Sequence, residues 1–323
     1  MLVSMYYNEF IFWGYFMSIV VIGATFVDIK GFPTKAFIQD GRNEGDVKTV
    51  HGGVARNIVE DIANLELRPT FLTLVDDDAY GNDVIERLKR HKVNTKYIKK
   101  IKDGMGLWLA VFNEDGDVVA SISKRPNFLP ILDVLKEYGD EIFSKCDSIS
   151  IELDTDNKVL NRIFAYAKKY KKQVYSSVAN MSIAIERRDF FKKVDCIVCN
   201  KEEAGLLFME NFDNVNTEEL SKKIYEKIKA AKIKNIVVTA GAEGAAYASM
   251  NGEHGAIPAF KVKVVDTTGA GDSFYAGVCA GLTYGKTLKE ACEIGTKLAA
   301  SVIQSIENVC PRFLPSEFNL KNK

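Results

Sequence analysis

Short runs rich in β-branched residues alternate with amphipathic stretches along most of these 323 residues, and that alternation narrows the folds open to the chain. Strand candidates are Thr70 to Val75, Ser148 to Leu153, Gln173 to Ser177, Cys196 to Cys199 and Asn235 to Thr239. Between them lie stretches such as Glu218 to Ala230, whose Leu220, Ile224 and Ile228 share one helix face and whose Thr217 is placed to cap the start. Strands separated by helices of this length return in the same direction. The pattern therefore predicts an α/β fold with a mostly parallel sheet and helices on both faces. Two stretches depart from it. Gly31 to Val50 is polar and turn-rich, while Gly104 to Ser123 reads as a hairpin, Leu107 to Phe112 and Val118 to Ser123 about a turn at Asn113-Glu114-Asp115-Gly116. They predict a small β flap, with lid segments over residues 31–50 and 104–125. No repeat, low-complexity tract or Pro/Gly/Ser linker divides the chain, so residues 19–315 are read as one domain and 316–323 as a tail.

Charge and cysteine content exclude several classes. Lys and Arg number 43, as do Asp and Glu, so no basic surplus supports a nucleic-acid partner. Six scattered cysteines are too few for a disulfide scaffold and suit a reducing cytoplasm. Residues Ile11 to Val27 carry no charge, yet no Lys or Arg precedes Lys30, so the basic flank of a signal peptide is missing. Ile19-Val20-Val21-Ile22-Gly23 reads as a buried strand ending at a glycine rather than half of a membrane span. Residues 1–18 are expected to be an appendage before that strand, with Met17 as the natural start. No membrane partner is expected.

The chemistry concentrates in Val264-Val265-Asp266-Thr267-Thr268-Gly269-Ala270-Gly271-Asp272-Ser273-Phe274. A β-branched strand is expected to run through small residues into a helix from Ser273 to Leu282. Gly269 and Gly271 let the backbone turn tightly, so successive N–H groups can point outward at the helix start. Free amides and the positive dipole end hold a phosphoryl group well. Asp272 would repel that anion if binding were its only purpose. Its presence makes sense where it faces a hydroxyl that loses its proton while attacking phosphorus. Read one residue at a time, the string is a glycine-rich helix entry with an acidic first turn. Read whole, it is a phosphoryl-transfer site.

That string resembles the C-terminal signature of the ribokinase-like (PfkB) carbohydrate and nucleoside kinases, and the similarity runs from Ile19 to about Pro311. The resemblance implies a three-layer α/β/α ribokinase-like fold with a small β lid. It implies an anion hole at Gly269, Ala270 and Gly271, and Asp272 as catalytic base. Four other segments match the same family. Asp28, in Gly23-Ala24-Thr25-Phe26-Val27-Asp28, matches the aspartate that grips sugar hydroxyls. His51-Gly52-Gly53-Val54-Ala55-Arg56-Asn57 matches the N-terminal Gly-Gly signature, with Gly52, Gly53 and Asn57 toward the substrate and Arg56 read as a solvated helix residue. Asn200-Lys201-Glu202-Glu203 matches the Asn-x-x-Glu motif, whose Asn200 and Glu203 organise Mg²⁺ largely through water. Thr239-Ala240-Gly241-Ala242-Glu243-Gly244 matches the segment that lines ATP through Thr239, Gly241 and Gly244, joined by Thr268.

The expected activity is ATP-dependent phosphorylation of a primary hydroxyl on a sugar or nucleoside, with Mg²⁺ and a monovalent cation such as K⁺ near Asp266 and Thr268. Gly52-Gly53-Val54-x-Arg56-Asn57 is most similar to the pseudouridine kinase branch, which makes pseudouridine the first acceptor considered, ahead of ribose, fructose, adenosine and sugar phosphates. Ser176-Ser177 and Ser123-Lys124-Arg125 depart from that branch, and the two cations either face solvent or favour an acidic substrate. Resemblance also implies a homodimer through the lid. A non-catalytic sensor on the same scaffold is the reading from another class, opposed by intact Asp272, Asn200 and Glu203. A dinucleotide-dependent oxidoreductase would need G-x-G-x-x-G after the first strand, which Gly23 to Asp28 lacks. Cys196 and Cys199 have metal-like spacing but lie in an apolar strand without a second pair, so they are read as core thiols.

Overall fold

The computed structural model describes residues 17–178 and 180–320; the appendage expected over residues 1–18 lies outside them up to residue 16. In chain order the elements are β1 (Ile19–Ile22), β2 (Phe26–Pro33), β3 (Gly45–Gly52), α1 (Val54–Asn64), β4 (Thr70–Leu72), β5 (Leu74–Asp76), α2 (Ala79–Arg90), β6 (Lys99–Ile101), β7 (Gly106–Phe112) and β8 (Val118–Lys124). There follow α3 (Ile131–Lys145), β9 (Ser148–Glu152), α4 (Asn157–Tyr170), β10 (Gln173–Ser177), α5 (Met181–Ile185), α6 (Arg188–Phe191), β11 (Cys196–Asn200), α7 (Lys201–Phe208) and α8 (Thr217–Ala231). The last are β12 (Asn235–Thr239), β13 (Ala245–Ser249), β14 (His254–Ile257), α9 (Ala270–Thr283) and α10 (Leu288–Val302).

The central sheet has eight strands in the order β14-β13-β12-β11-β10-β9-β1-β4. Pairing is parallel from β4 to β12, and β13 and β14 extend it antiparallel. β1 shows why the strands read as unbroken apolar runs. Ile19 and Val21 pack into the cluster with α1, α9 and α10, while Val20 and Ile22 pack into the cluster with α3, α4 and α8. Both faces are covered, so no position needs a polar residue. The layers are α/β/α.

The lid is a separate four-stranded sheet in the order β3-β2-β7-β8. It begins at Phe26, not residue 31, which puts Asp28 inside a lid strand between Val50 of β3 and Trp108 of β7. Some local expectations are corrected. Thr70 to Val75 is two strands, because buried Thr73 bonds Thr25 Oγ1 at 3.0 Å and β5 leaves to pair with β6. The cap of α8 is Asn216, whose side chain accepts from the Glu219 N–H at 3.0 Å, rather than Thr217. Residues 316–320 are no loose tail: Phe318 and Leu320 are buried in the core. Among the described residues no helix is long and apolar enough to cross a membrane, and all six cysteines are free and buried.

Candidate active site

The parallel strands β1, β9, β11 and β12 end on the same edge, at Gly23, Glu152, Asn200 and Thr239, the edge where open α/β sheets collect their ligands. The lid rises from it. Asp28 lies so close to Gly52 that a Cβ there would run into the Asp28 carboxylate, so a side chain at that position would have to displace it. Burial pushes the Asp28 carboxyl up from its ordinary range, and Lys30 and then Arg56 pull it part of the way back.

The signature string forms the start of α9. Gly269 is its N-cap at φ 81°, a left-handed value that a side chain resists, and a Cβ there would strike the Asn308 carbonyl. Ser273 N–H donates to Gly269 O at 2.9 Å, and Thr268 N–H donates to Asp266 Oδ1 at 2.8 Å. The Ala270 amide was expected in the anion hole, yet it donates to Thr267 O at 3.2 Å in a tight turn. Gly269, Gly271 and Asp272 N–H groups donate to no backbone carbonyl among the described residues. The donor set at this helix start is thus Gly269, Gly271 and Asp272, with Ala270 supplying the turn.

Asp272 is half-buried by surface, and loss of water pushes its carboxyl up to about 6. Asn57 and then Arg56 oppose that rise, and Asp28 adds to it. Asn57 Nδ2 donates to Asp272 Oδ2 at 2.6 Å across 215 residues of sequence. Asn308 Nδ2 in turn donates to Asn57 Oδ1 at 3.2 Å and to the His51 carbonyl at 3.3 Å. One turn along α1, buried Asp61 accepts from Ser273 Oγ at 2.8 Å and from Cys310 N–H at 2.6 Å. Desolvation pushes Asp61 up to about 8 against those two donors. Helix α1 therefore fixes both Asp272 and the residue after it. Asp61→Ala would strand a buried hydroxyl and a buried amide, and we expect it to cost roughly 2–6 kcal/mol of stability. A urea midpoint equal to that of the native protein would refute this.

Asn200 and Glu203 sit at the junction of β11 and α7. Asn200 Oδ1 accepts from Glu203 N–H and Glu203 Oε2 accepts from Asn200 N–H, both at 2.8 Å, closing a reciprocal cap. One carboxylate oxygen of Glu203 is left over. Burial raises its pKa, helped by Glu202, Asp154 and Asp272. No trio of His, Cys, Asp or Glu among the described residues is placed to cage a metal directly. A crowd of carboxylates with one spare oxygen fits a divalent cation reached through water. Thr239 pairs in register with Asn200 and donates from Oγ1 to Cys199 O at 3.4 Å, and the turn Gly241–Glu243 and Gly244 follow it.

Sequence reasoning missed four residues and misread one. Arg56, expected in solvent, is 1% exposed and donates from Nη1 to Glu60 at 2.7 Å. Glu152 ends β9 with its carboxylate accepting from the Ala24 and Ala55 N–H groups at 3.3 and 3.1 Å. Asp154, two residues on, is gripped by Arg125 Nη2 at 2.7 Å, and Lys124 is paired with Asp103 at 2.8 Å, so neither lid cation is free. Asp61 and Asn308 complete the set. The Arg56-x-x-x-Glu60 spacing and the acidic pair at a strand end were legible signals; Asn308 offered none. A cavity of about 690 Å³ beside α1, with Glu60, Asn64, Arg87 and His91 in its wall, is lined by none of the predicted site residues.

A helix-start anion cradle beside a carboxylate, on the ligand edge of a parallel sheet and flanked by a β lid, defines a small-molecule kinase. The family model of the pfkB family carbohydrate kinases matches residues 17–309, and the chain belongs to that family. It is a carbohydrate or nucleoside kinase, a phosphotransferase with an alcohol acceptor. Guanosine-inosine kinase from Exiguobacterium acetylicum is 33% identical over 293 residues, covering 90% of this chain and 96% of that protein. Pseudouridine kinase from Escherichia coli (strain K12) is 22% identical over 267 residues, covering 81% and 82%. The fold is ribokinase-like. The structure of Arabidopsis thaliana ribokinase complexed with ribose and ATP superposes with a TM-score of 0.79 at 19% identity, covering 95% of this chain and 99% of that one.

Proposed function

We propose that the chain transfers the γ-phosphoryl group of ATP to the primary hydroxyl of a nucleoside, with Asp272 as base. The observation that carries this is the 2.6 Å bond between Asn57 and Asp272 at a helix start whose neighbouring amides are free. Asp272 would orient the hydroxyl and take its proton late, while the Gly269, Gly271 and Asp272 amides face the charge on the transferred group. Asp28, beside Gly52, suits a vicinal diol, since a carboxylate accepts two hydrogen bonds. Thr239, Gly241, Gly244 and Thr268 would line the ATP side. Mg²⁺ neutralises phosphate charge when bound, and Asn200 and Glu203 would hold its water shell. K⁺ would be met by carbonyls near Asp266 and Thr268. A cytoplasmic setting belongs to the same reading and agrees with six free, buried thiols.

For the acceptor base, a purine nucleoside replaces pseudouridine as the favoured class, because the guanosine-inosine kinase is similar at 33% and the pseudouridine kinase at 22%. A coupled ADP-release screen of guanosine, inosine, adenosine, uridine, pseudouridine, ribose and fructose tests it. Guanosine or inosine is expected to give the highest kcat/KM. Preference for a free sugar would overturn the acceptor class, and ligand binding without ADP release would favour the sensor.

The homodimer belongs to this reading too. In register, Leu109 and Ile122 form an apolar pair on the lid face opposite Asp28, 38% and 70% exposed, while Ile29 beside them packs on the core. Covering such a pair against a second lid would remove it from water. Ile122→Glu is expected to convert a dimer to a monomer in light scattering; an unchanged mass would count against the lid interface.

A further inference from the structure

Arg56 is buried deeply enough that its charge needs a reason. Its Nη1 reaches Glu60, itself fully buried, and its Nη2 donates to the His51 carbonyl. Its Nε has no hydrogen-bond partner. Glu60 is not its private counter-ion. Arg87, from α2, binds the same carboxylate through Nε at 2.9 Å and Nη2 at 2.8 Å, and His91 Nε2 stands 3.4 Å away. Two guanidinium groups thus share one buried carboxylate. The next acid, Glu307, reaches only Arg87, at 3.6 Å, and is largely exposed. Arg87 is 30% exposed and has Glu307 beside it, so the fully buried Arg56 is the guanidinium left with only a share of Glu60 to offset its charge.

That charge lies where the candidate site turns. His51 is the last residue but one of the lid strand β3; Gly52, against which Asp28 packs, ends the strand and Gly53 follows it. The His51 carbonyl is held by Arg56 from one side and by Asn308 from another. The residue after Arg56 is Asn57, which grips Asp272. The same stretch of α1 therefore touches the base directly and braces the acceptor loop from beneath.

We propose that Arg56 is a positioning residue of the phosphoryl-transfer site, its buried guanidinium bracing the His51–Gly53 turn and setting the positive field in which Asp28 and Asp272 sit. The inference rests on the reading of Asp272 as base. Charged groups around Arg56 and the two acids are Glu60 and Asp61 on α1, Arg87 and Asp83 on α2, His91 just after it, His51 on β3, Lys30 on β2, Glu203 on α7 and Glu307 beyond α10. Arg56 is the cation that both Asp28 and Asp272 feel.

The test is the pH profile of kcat/KM for the acceptor, with KM for acceptor and for ATP, in R56M, R56K and E60Q. In R56M the acid limb is expected to rise by about one pH unit, because a nearby cation that favoured the ionised base is gone. Acceptor KM should rise roughly tenfold with ATP KM unchanged, the worth of one charged hydrogen bond to the loop. R56K keeps the charge but not the fork, so its limb should stay while acceptor KM rises. In E60Q the counter-charge is lost and the limb should move down. Opposite shifts in R56M and E60Q are something a packing role does not produce. Lower melting temperatures in all three, with limb and KM ratio unmoved, would overturn the proposal. If R56M does not fold, E60Q and R56K decide: a wild-type limb in E60Q overturns it. Asp272→Asn reports separately on the base; full turnover there removes that reading, while the acceptor KM of R56K still tests the brace.

Discussion

Asp272→Asn is expected to lower kcat by roughly 10²–10⁴-fold, the usual share of a positioned base, while leaving melting temperature level with the native protein or slightly above it. Asparagine has the same shape, and its carbonyl oxygen can still accept from Asn57 Nδ2. It cannot take the hydroxyl proton. Stability should not suffer, because the native carboxyl is held above its ordinary range by loss of water. A neutral amide avoids that penalty at neutral pH. The same shift sets the pH dependence of the wild type. A base must be ionised to act, and this one is pushed up to about 6. kcat/KM should therefore climb through that value as pH rises and flatten above it. Folding stability runs the other way. Asp272 and Asp61 keep their protons in the folded chain after an unfolded chain has released them, so their contribution declines between about pH 4 and pH 8. Near-normal turnover in the variant, or a profile flat down to pH 5, would take Asp272 out of the role.

Gly269→Ala is the second large effect. The residue caps α9 at φ 81° and its missing side chain faces the Asn308 carbonyl. A methyl group adds left-handed strain of roughly 1–2 kcal/mol and forces either the helix start or the Asn308 segment to move. Both movements spoil the site, since one carries the free amides and the other holds Asn57. Loss of one aligned oxyanion donor lowers kcat by roughly 10²–10³-fold, so a fall of at least that size is expected. Melting temperature should drop by several degrees, about 2–4 °C for each kcal/mol in a domain of this kind. Gly271→Ala is the control: a Cβ there meets nothing within 4 Å, and its melting temperature should stay near native. Equal behaviour of the two variants would refute the steric argument.

What the sequence disclosed was whatever is local. The passage from Val264 to Phe274 is a contiguous turn-helix code whose chemistry can be argued from glycine freedom and helix dipoles alone, although Val264-Val265, expected as a strand before it, lie in no strand and the helix starts at Ala270. β1 could be recognised because a strand buried on both faces has to be apolar throughout. Some of the failures involve partners distant in the chain, and others a choice between two local roles. Arg56 looked like a surface residue because nothing in its own stretch of sequence shows that its i+4 partner Glu60 is also claimed by Arg87 and sealed from water. Thr217 looked like the cap of α8 because two capping residues stand side by side, and only backbone angles select Asn216. Asn200 and Glu203 carry the spacing of a reciprocal cap as well as that of a magnesium pair, and the structure shows the cap formed. Lys124 and Arg125 invited an anionic substrate until Asp103 and Asp154 claimed them.

The sealed thiols make the chain a convenient spectroscopic host. Cys146, Cys196, Cys199, Cys279, Cys292 and Cys310 are all interior, and burial pushes their thiols well above the range where maleimides and spin labels react. A single cysteine placed at solvent-facing Val47 on the lid can therefore be tagged without first stripping the native ones, and paired with a second at a solvent-facing position on α8 it becomes a ruler for the distance between the lid and the helices of the main sheet.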